Sequence, residues 1–320
     1  MVDGFNRKIH YLRISVTDVC NLRCTYCLPE DVTFFPKEQI LSYEEIMRLT
    51  RLMVSMGIDA IRLTGGEPLS RPDCVDLVGE IKALSGIRKV SMTTNGVLLP
   101  QYIDQLAAHG IDDLNISLDT MDQKRFAAIT GRDHFPKVME GIYRALDHGI
   151  NVKVNCVLMK GNNEDEILPL ANLTKTLPVG VRFIELMPTD DSLGRLEGVT
   201  TEEVIEILAQ EYGDMIQDNH EHGLGPATYI KSPDMVGSIG FITPMSDNFC
   251  HRCNKIRLTA EGFLKLCLYH DDGVSLRDLM RQGFTDAELK QVILGAVDKK
   301  PEKHNFNVRP NFKTMSKIGG

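Results

Sequence analysis

Strand-like and helical segments alternate along the first two-thirds of the chain, and this pattern limits the possible fold more than any other feature. The strand-like segments are residues 11–17, 60–66, 89–96, 114–119, 151–158 and 180–186. Between the first two, Ser42 and Glu45 form a helix capping box, and Gly57 provides a helix stop signal. Repeated strand–helix units predict a parallel sheet with right-handed crossovers. We therefore expect an α/β fold, a partial (β/α)6 barrel of the TIM type.

The predicted strands have one apolar and one polar face. In the first strand, Leu12 and Ile14 point to one side and Arg13 to the other. Arg62 and Lys153 occupy the polar face of the second and fifth strands in the same way. A standard closed barrel fills its interior with apolar side chains, so an inward polar face predicts a hydrated, cationic cavity instead. The alternative, a sheet with one solvated face, is less compatible with parallel strands covered by helices.

The pattern changes after Gly194. The downstream segments are an amphipathic helix (200–213), a polar linker (218–229) and a strand (237–244). A hairpin that turns at Gly262 (255–269) and two short helices (275–283 and 285–298) follow. We expect two domains, a barrel over residues 1–217 and a smaller α+β domain over residues 218–320.

Composition excludes several classes of partner. The chain has 320 residues and a net charge of −8, so a broad surface for nucleic acid or anionic membranes is not expected. The N-terminal stretch has no apolar core of signal-peptide length, and no run approaches the ~18 apolar residues of a membrane span. Eight cysteines in such a chain indicate metal-binding or catalytic thiols rather than disulfides. We expect a soluble cytoplasmic protein without nucleic-acid or membrane partners.

Three cysteines, Cys20, Cys24 and Cys27, lie within one short loop directly after the first strand. Three thiolates this close can ligate three irons of a [4Fe–4S] cluster and leave the fourth iron open for a small molecule. The alternative is a Cys3His zinc site with a distant histidine. The loop contains no histidine, which favours the cluster.

A second triad consists of Cys250, Cys253 and Cys267. The predicted hairpin explains its long spacing, because it returns Cys267 to the side of the other two. From the residues alone, His251 or His270 could complete a structural zinc site. Zinc and an iron–sulfur cluster therefore both remain open for this triad.

The first triad, with the aromatic Tyr26 before its last cysteine, resembles the radical S-adenosylmethionine superfamily. "TGGEP" (64–68), at the end of the second strand, is similar to that family's methionine-binding turn. A second cysteine triad beside such a barrel resembles the GTP 3',8-cyclases of molybdenum cofactor biosynthesis. The resemblance extends over essentially the whole chain through "RISVTDVCNLRCTYC", "RLTGGEP", "TTNG", "NISLD", "VKVN", "RFIELMP" and "CNKIRLTAEGFLKLCL".

The resemblance implies an enzyme that converts GTP to 3',8-cyclo-7,8-dihydro-GTP with two [4Fe–4S] clusters and S-adenosylmethionine. In that family, the first cluster generates a 5'-deoxyadenosyl radical, which takes hydrogen from the ribose C3', and the open iron of the second cluster binds guanine. It also implies GTP and a cellular electron donor as partners, a homodimer, and hand-off of the product to cyclic pyranopterin monophosphate synthase.

Site residues follow from the same resemblance, position by position. The implied metal ligands are Cys20, Cys24, Cys27, Cys250, Cys253 and Cys267. The implied S-adenosylmethionine contacts are Tyr26, Gly66, Ser117 and Met187, and the implied GTP contacts are Arg13, Arg62, Thr93, Lys153, Lys255 and Arg257. A catalytic role is implied for Arg182 and for the terminal Gly319 and Gly320, because a double-glycine tail inserts toward the active site in this family.

The chain departs from the family at Lys255, where arginine is common. Lysine keeps the positive charge but lacks the planar fork of donors, so the contact at this position differs.

Two other functions fit parts of the pattern. One is a radical enzyme with an auxiliary cluster that acts on a peptide or on a different nucleotide. Peptide-modifying relatives usually carry a longer cysteine array in the C-terminal region, which this chain lacks. The other is a non-enzymatic regulator with two zinc sites and a nucleic-acid partner, which the acidic balance and the absence of tryptophan disfavour.

Overall fold

The structure is a computed structural model that describes residues 1–28, 32–187, 196–220, 222–247, 249–304 and 317. Its strands are β1 (Tyr11–Ser15), β2 (Ala60–Thr64), β3 (Lys89–Thr94), β4 (Asp113–Ser117), β5 (Asn151–Leu158), β6 (Gly180–Glu185), β7 (Ile216–Gln217), β8 (Thr228–Lys231), β9 (Ser238–Ile242), β10 (Lys255–Leu258), β11 (Phe263–Lys265) and β12 (Gly273–Ser275). Its helices are α1 (Tyr43–Ser55), α2 (Cys74–Lys82), α3 (Leu99–Ala108), α4 (Gln123–Thr130), α5 (Phe135–Asp147), α6 (Ile167–Ala171), α7 (Leu173–Thr176), α8 (Thr201–Tyr212), α9 (Leu276–Arg281) and α10 (Asp286–Asp298).

The chain forms two compact units that interleave in sequence. The terminal unit contains Met1–Thr94, Asp104–Asp112 and Cys250–Gly320, and the central unit contains Asn95–Ile103 and Asp113–Phe249. This division follows spatial contacts rather than continuous sequence. The domain boundary predicted between residues 217 and 218 stays a prediction.

The sheet of the terminal unit has the strand order β12-β11-β10-β1-β2-β3. Strands β10, β1, β2 and β3 are parallel, whereas β11 and β12 join antiparallel. Leu12 and Ile14 on β1 are fully buried, as the alternation of apolar residues predicts. The turn between β10 and β11 is at Gly262, whose φ of +80° is a left-handed conformation that glycine adopts without strain.

Helix α1 covers this sheet and begins where the capping box predicts. The Ser42 side chain accepts from the backbone of Glu45, and the Glu45 side chain accepts from the backbone of Ser42. Arg281 of α9 donates from Nε to Glu45 Oε1 at 2.8 Å, so the capping residue of α1 also binds a helix from the C-terminal part of the chain. This bond joins segments of the terminal unit that are distant in sequence.

The sheet of the central unit has the order β4-β5-β6-β9-β8-β7. Strands β4, β5, β6 and β9 are parallel, and β8 and β7 continue the sheet antiparallel. At Gly240 in β9, an added Cβ would lie 2.7 Å from the Tyr229 ring and 3.1 Å from Arg182 Cγ. A glycine is required here because the two larger side chains already occupy the space above it.

All six predicted strands are present and parallel to their neighbours within each unit. The predicted α8, the predicted hairpin and the two predicted C-terminal helices are also present. A feature that local patterns did not predict is that β9 and β10, both from the C-terminal third, pair parallel with β6 and β1. In the part of the chain that the structure describes, no helix is long and apolar enough to cross a membrane.

Candidate functional site

The first cysteine triad lies in the loop that leaves the carboxyl end of β1. The loop is closed locally, since the backbone N–H groups of Cys27 and Leu28 both donate to the carbonyl of Cys24 at 3.0 Å. Arg23 Nη1 donates to the carbonyl of Cys20 at 2.7 Å and so ties the first cysteine to the same turn. The three thiols are half-buried, so they remain accessible to a ligand.

The Gly65–Gly66 turn after β2 packs directly on the chain that leads into this loop. Gly66 donates its backbone N–H to the Thr17 carbonyl at 2.8 Å. An added Cβ on Gly66 would lie 2.3 Å from the Val19 carbonyl oxygen, and one on Gly65 would lie 2.4 Å from the Thr17 carbonyl oxygen. The paired glycines therefore allow two backbone segments to touch, and this contact positions the turn beside the first triad.

The second triad is assembled from both sides of the β10–β11 hairpin. Cys250 lies in a short 3-10 helix, and Cys253, two residues before β10, donates its backbone N–H to the Cys250 carbonyl at 3.0 Å. Burial raises the pKa of the Cys250 thiol, and negative charge on Cys267 and Cys253 would raise it further. Cys267 therefore lies near enough to Cys250 for its charge to act on that thiol.

The charges around Cys253 favour its thiolate. Burial opposes ionisation, but the positive charges of Lys300 and Lys255 outweigh it and hold the pKa of Cys253 below its usual value. Thiolate is the form that ligates iron, so the donor chemistry of this triad suits an iron–sulfur cluster.

Four cations lie side by side on one face of the terminal sheet. We call this set, Arg13, Arg62, Lys255 and Arg257, the cation face. Arg257 on β10, Arg13 on β1 and Arg62 on β2 are register partners in a single row across three parallel strands. Lys255 lies two residues before Arg257 on the same side of β10, opposite Tyr11.

The cation face is electrostatically unfavourable to the protein by itself. Burial lowers the pKa of Arg13, and the neighbouring charges of Arg257 and Arg62 lower it further. Burial and the same group of cations lower the pKa of Lys255 to about 7. Arg62 donates from Nε to the Ser91 hydroxyl at 3.1 Å. This hydroxyl is neutral, so the bond does not offset the positive charge of the arginine. Such a face favours the binding of a polyanion, because an anion offsets the repulsion.

The cation face lies between the two triads along the direction of the strands. β1 and β10 are parallel, so their amino ends share one edge of the sheet and their carboxyl ends share the other. Cys253 precedes the amino end of β10, whereas Cys20 follows the carboxyl end of β1. The terminal unit alone therefore presents thiols, cations and thiols in that order.

The central unit presents Arg182 in a polar row of its own. Ser117, Asn155, Arg182 and Gly240 are register partners across β4, β5, β6 and β9. Arg182 is 4% exposed, and it donates from Nη1 to Asn115 Oδ1 at 2.8 Å and from Nε to the Tyr229 hydroxyl at 2.5 Å. Its guanidinium is therefore held in one orientation by these two bonds.

Lys153, on β5 of the central unit, has an acidic partner. Its Nζ lies 3.0 Å from Asp113 Oδ1, and both side chains are almost fully buried. Asn151 also donates to Asp113 Oδ1, at 2.8 Å. An added Cβ on Gly223 would lie 3.6 Å from Lys153 Nζ, so the loop before β8 passes over this pair. A GTP contact for Lys153 stays a prediction, and such a contact would share the lysine with Asp113.

The remaining predicted site residues lie near the carboxyl ends of their strands, where ligands bind in parallel α/β sheets. Tyr26 is in the first cysteine loop, Thr93 is on β3 on the same side as Ser91, and Met187 follows β6 by two residues. Gly319 and Gly320 lie outside the described residues. The ligand roles assigned to these residues stay predictions.

Several polar partners were missed by sequence reasoning. Tyr11 and Asn115 lie on the polar strand faces that the alternation predicts, but they were not singled out as site residues. Tyr229 carries no such signal, because it lies at the end of a segment predicted to be a linker, yet its ring lies 5.6 Å from the Arg182 guanidinium. Asp218 and His222 were also missed; Asp218 Oδ2 lies 2.8 Å from His222 Nε2, and the His222 ring stacks on Tyr229.

The donor atoms for a metal are thiols. All eight cysteines are free thiols in the structure. Among the described residues, no three His, Cys, Asp or Glu side chains are placed to hold a metal ion. The assignment of a cluster therefore rests on the number, type and chain position of the thiols in each triad.

Comparison with known proteins agrees with this arrangement. Residues 14–174 match the radical SAM superfamily, and residues 179–306 match the family Molybdenum Cofactor Synthesis C. The chain is 42% identical to the GTP 3',8-cyclase of Clostridium perfringens (strain SM101 / Type A) over the full length of both proteins. It is 47% identical to Molybdenum cofactor biosynthesis protein 1 of Homo sapiens over 95% of this chain, which spans 48% of the human protein.

The fold is also similar to that of a solved structure, Streptococcus suis SuiB bound to S-adenosylmethionine. The TM-score is 0.59 at 15% sequence identity, over 95% of this chain and 73% of SuiB. This likeness and the superfamily match confirm the predicted fold class, a partial barrel with a C-terminal extension. The chain therefore belongs to the radical SAM superfamily, within the family of the GTP 3',8-cyclases.

Proposed function

We propose that the chain converts GTP to 3',8-cyclo-7,8-dihydro-GTP, an early step of molybdenum cofactor biosynthesis. The proposal takes its reaction from relatives named GTP 3',8-cyclase that match over their full length. The observation on this chain that supports it best is the cation face. Four buried or half-buried cations between two thiol triads form a site for a polyanion such as a nucleoside triphosphate.

In this proposal, Cys20, Cys24 and Cys27 hold a [4Fe–4S] cluster, and Cys250, Cys253 and Cys267 hold a second. A reduced cluster at the first triad, when bound with S-adenosylmethionine, supplies a 5'-deoxyadenosyl radical. The Gly65–Gly66 turn and Tyr26 lie beside that triad, and their position supports contacts to S-adenosylmethionine. Ser117 and Met187 are proposed to contribute further contacts of the same kind.

The remaining site residues bind and orient the substrate. Arg13, Arg62 and Arg257 bind phosphate oxygens or the base, and Lys255 provides a point charge rather than a planar fork. Thr93 and Lys153 are proposed as additional GTP contacts. Arg182, which Asn115 and Tyr229 hold in a fixed orientation, is proposed to contact the reacting substrate. The terminal Gly319 and Gly320 are proposed to act at the same site.

The proposal also includes partners and a location. Reduction of the clusters requires a cellular electron donor, because reductive cleavage of S-adenosylmethionine consumes an electron. We propose a homodimer, hand-off of the product to cyclic pyranopterin monophosphate synthase, and a cytoplasmic location. The free state of all eight cysteines supports a reducing compartment.

The test is an anaerobic incubation of the reconstituted protein with S-adenosylmethionine, dithionite and GTP, followed by mass spectrometry. The expected products are 5'-deoxyadenosine and an isomer of GTP. A Cys24→Ala variant should give neither product, since its first triad is incomplete. Deoxyadenosine without a GTP-derived product would retain the radical chemistry and exclude GTP as substrate. Neither product, from protein whose iron content shows two clusters, would overturn the proposal.

A further inference from the structure

A histidine outside both triads lies against one of the cysteines. His304 Nδ1 is 3.0 Å from Cys250 Sγ, and the backbone of His304 also forms a hydrogen bond with the Cys250 thiol. Nothing in the sequence pattern marked His304, because it lies 54 residues from Cys250. The contact is thus a product of the fold.

The segment that carries His304 is fixed at several points. Arg7 donates from Nη2 to the Pro301 carbonyl and from Nη1 to the Glu302 carbonyl, both at 2.7 Å. The same Arg7 Nη1 donates to the Cys250 carbonyl at 2.9 Å. Because Arg7 is buried and paired with Asp3, one side chain joins the His304 segment to the Cys250 segment.

The segment is also attached to the arm that carries Cys267. The side chain of Lys300, 2% exposed, donates to the Leu266 carbonyl. His270 Nε2 lies 3.2 Å from the Lys303 carbonyl. His304 is therefore held at the second triad from both sides, and its contact with Cys250 does not depend on a single interaction.

The distance distinguishes two roles for the imidazole. Two ligands on one tetrahedral metal, at about 2.3 Å for sulfur and about 2.0 Å for nitrogen, would be roughly 3.5 Å apart. The 3.0 Å between Nδ1 and Sγ is shorter than this separation, and the contact is that of a hydrogen bond to the sulfur. A metal-bound thiolate only accepts hydrogen bonds, so Nδ1 must carry the proton.

We propose that His304 is a tuning residue of the second cluster, which donates hydrogen bonds from Nδ1 and from its backbone N–H to the Cys250 thiolate. Donors to a ligating sulfur withdraw electron density and make the cluster easier to reduce. The inference rests on the proposed function, because it requires a cluster at this triad. It adds a residue that acts through Cys250 and not on the substrate.

The experiment is a redox titration of the holoenzyme followed by electron paramagnetic resonance. His304→Leu removes the imidazole donor, and His304→Gln retains an N–H donor on a side chain of similar reach. His270→Leu is the matched control, since it removes a neighbouring imidazole that holds the same segment through Lys303. The signal of the first cluster, identified by its response to S-adenosylmethionine, serves as the internal reference.

We expect His304→Leu to shift the midpoint potential of the second cluster to a more negative value and to leave the first cluster unchanged. His304→Gln should restore part of the shift, and His270→Leu should produce none. Equal midpoints in His304→Leu and the parent, or an equal shift in His270→Leu, would overturn the role of His304. Loss of the second cluster from both His304 variants would also overturn it. Iron content equal to one cluster in the parent protein would instead show that the proposed function is wrong at the second triad.

Discussion

Arg13 and Arg257 are direct register partners on the parallel strands β1 and β10, and burial together with the charge of Arg257 lowers the pKa of Arg13. A half-buried and a buried guanidinium group in adjacent positions repel each other, and both attract an anion. Removal of one of these two charges should therefore stabilise the ligand-free protein and weaken the binding of an anion.

Replacement of Arg13 by methionine tests this relationship. Arg13→Met keeps the aliphatic volume and removes the charge, so the melting temperature of the ligand-free protein should stay equal or rise. GTP affinity should fall roughly ten- to a hundredfold, the loss expected for a charged hydrogen bond of about 1.5–3 kcal/mol. Calorimetry and thermal unfolding measure the two effects. Arg132→Met, at an exposed arginine in the central unit, should change neither. A strongly lowered melting temperature would mean that Arg13 is a structural cation.

The Tyr229 hydroxyl should matter through Arg182. Tyr229→Phe keeps the ring that stacks on His222 but removes the acceptor of the Arg182 Nε bond. Turnover should fall about fivefold with little change in iron content, because one hydrogen bond of about 1 kcal/mol orients the guanidinium. The control is Tyr212→Phe, which removes a hydroxyl bonded to Asn172 in the same unit. An equal loss in both variants would contradict a specific role for Tyr229.

The Gly65–Gly66 turn predicts a selective loss of the first cluster. In Gly66→Ala the new Cβ would meet the Val19 carbonyl oxygen at 2.3 Å, so the chain that leads to Cys20 must move. Iron content should fall by about half, since the second triad is not affected. Gly295→Ala, at an open position in α10, should retain full iron content. Loss of all iron in Gly66→Ala would indicate global unfolding instead.

His222 predicts a pH dependence of stability. Burial lowers its pKa, the charges of Lys153 and Arg182 act in the same direction, and Asp218 opposes them. A histidine with a lowered pKa binds its proton less readily in the folded state, so its protonation favours unfolding. The stability of the protein should therefore decrease as the pH falls through the unfolded value of 6.5.

The measurement for His222 is the melting temperature of the parent and of His222→Gln at pH 7.5 and at pH 5.5. The pKa of Asp218 is held well below its usual value, mainly by bonds from Ser238 and His220 against the effect of burial, so Asp218 stays ionised over this range. The decrease between the two pH values should be smaller in His222→Gln. An identical decrease would show that His222 does not titrate in this interval.

The double-glycine tail gives a prediction that concerns only catalysis. Deletion of Gly319 and Gly320 should leave the iron content unchanged and lower turnover at least about tenfold, if the tail acts at the substrate as proposed. A variant with Gly319→Ala and Gly320→Ala keeps the chain length and separates the need for backbone flexibility from the need for reach. Full activity in the deletion would exclude a catalytic role for the tail.

Local patterns in the sequence predicted most of the elements and one face of the site. The capping box at Ser42, the glycine turn at Gly262 and the period-2 alternation each depend on neighbouring residues, so they are readable without the fold. The same alternation placed Arg13 and Arg62 on one face, and the register places them in one row.

Partners that are distant in sequence could not be predicted in this way. The contact of His304 with Cys250 and the bond of Tyr229 with Arg182 arise only after strands from the C-terminal third have joined the sheets. Parallel pairing of β10 with β1 depends on the packing of the whole unit and leaves no local signal. For the same reason, the interleaved order of the two units was not predicted.

The pairing of β10 with β1 also determines the order of events during synthesis. Lys255 on β10 is the register partner of Tyr11 on β1, although most of the sequence lies between them. One edge of β1 therefore stays unpaired until β10 has emerged from the ribosome. The first cysteine loop emerges early, whereas Cys250, Cys253 and Cys267 emerge together with the strand that closes this edge. A nascent chain therefore presents its first triad before the cation face, the proposed substrate site, is complete.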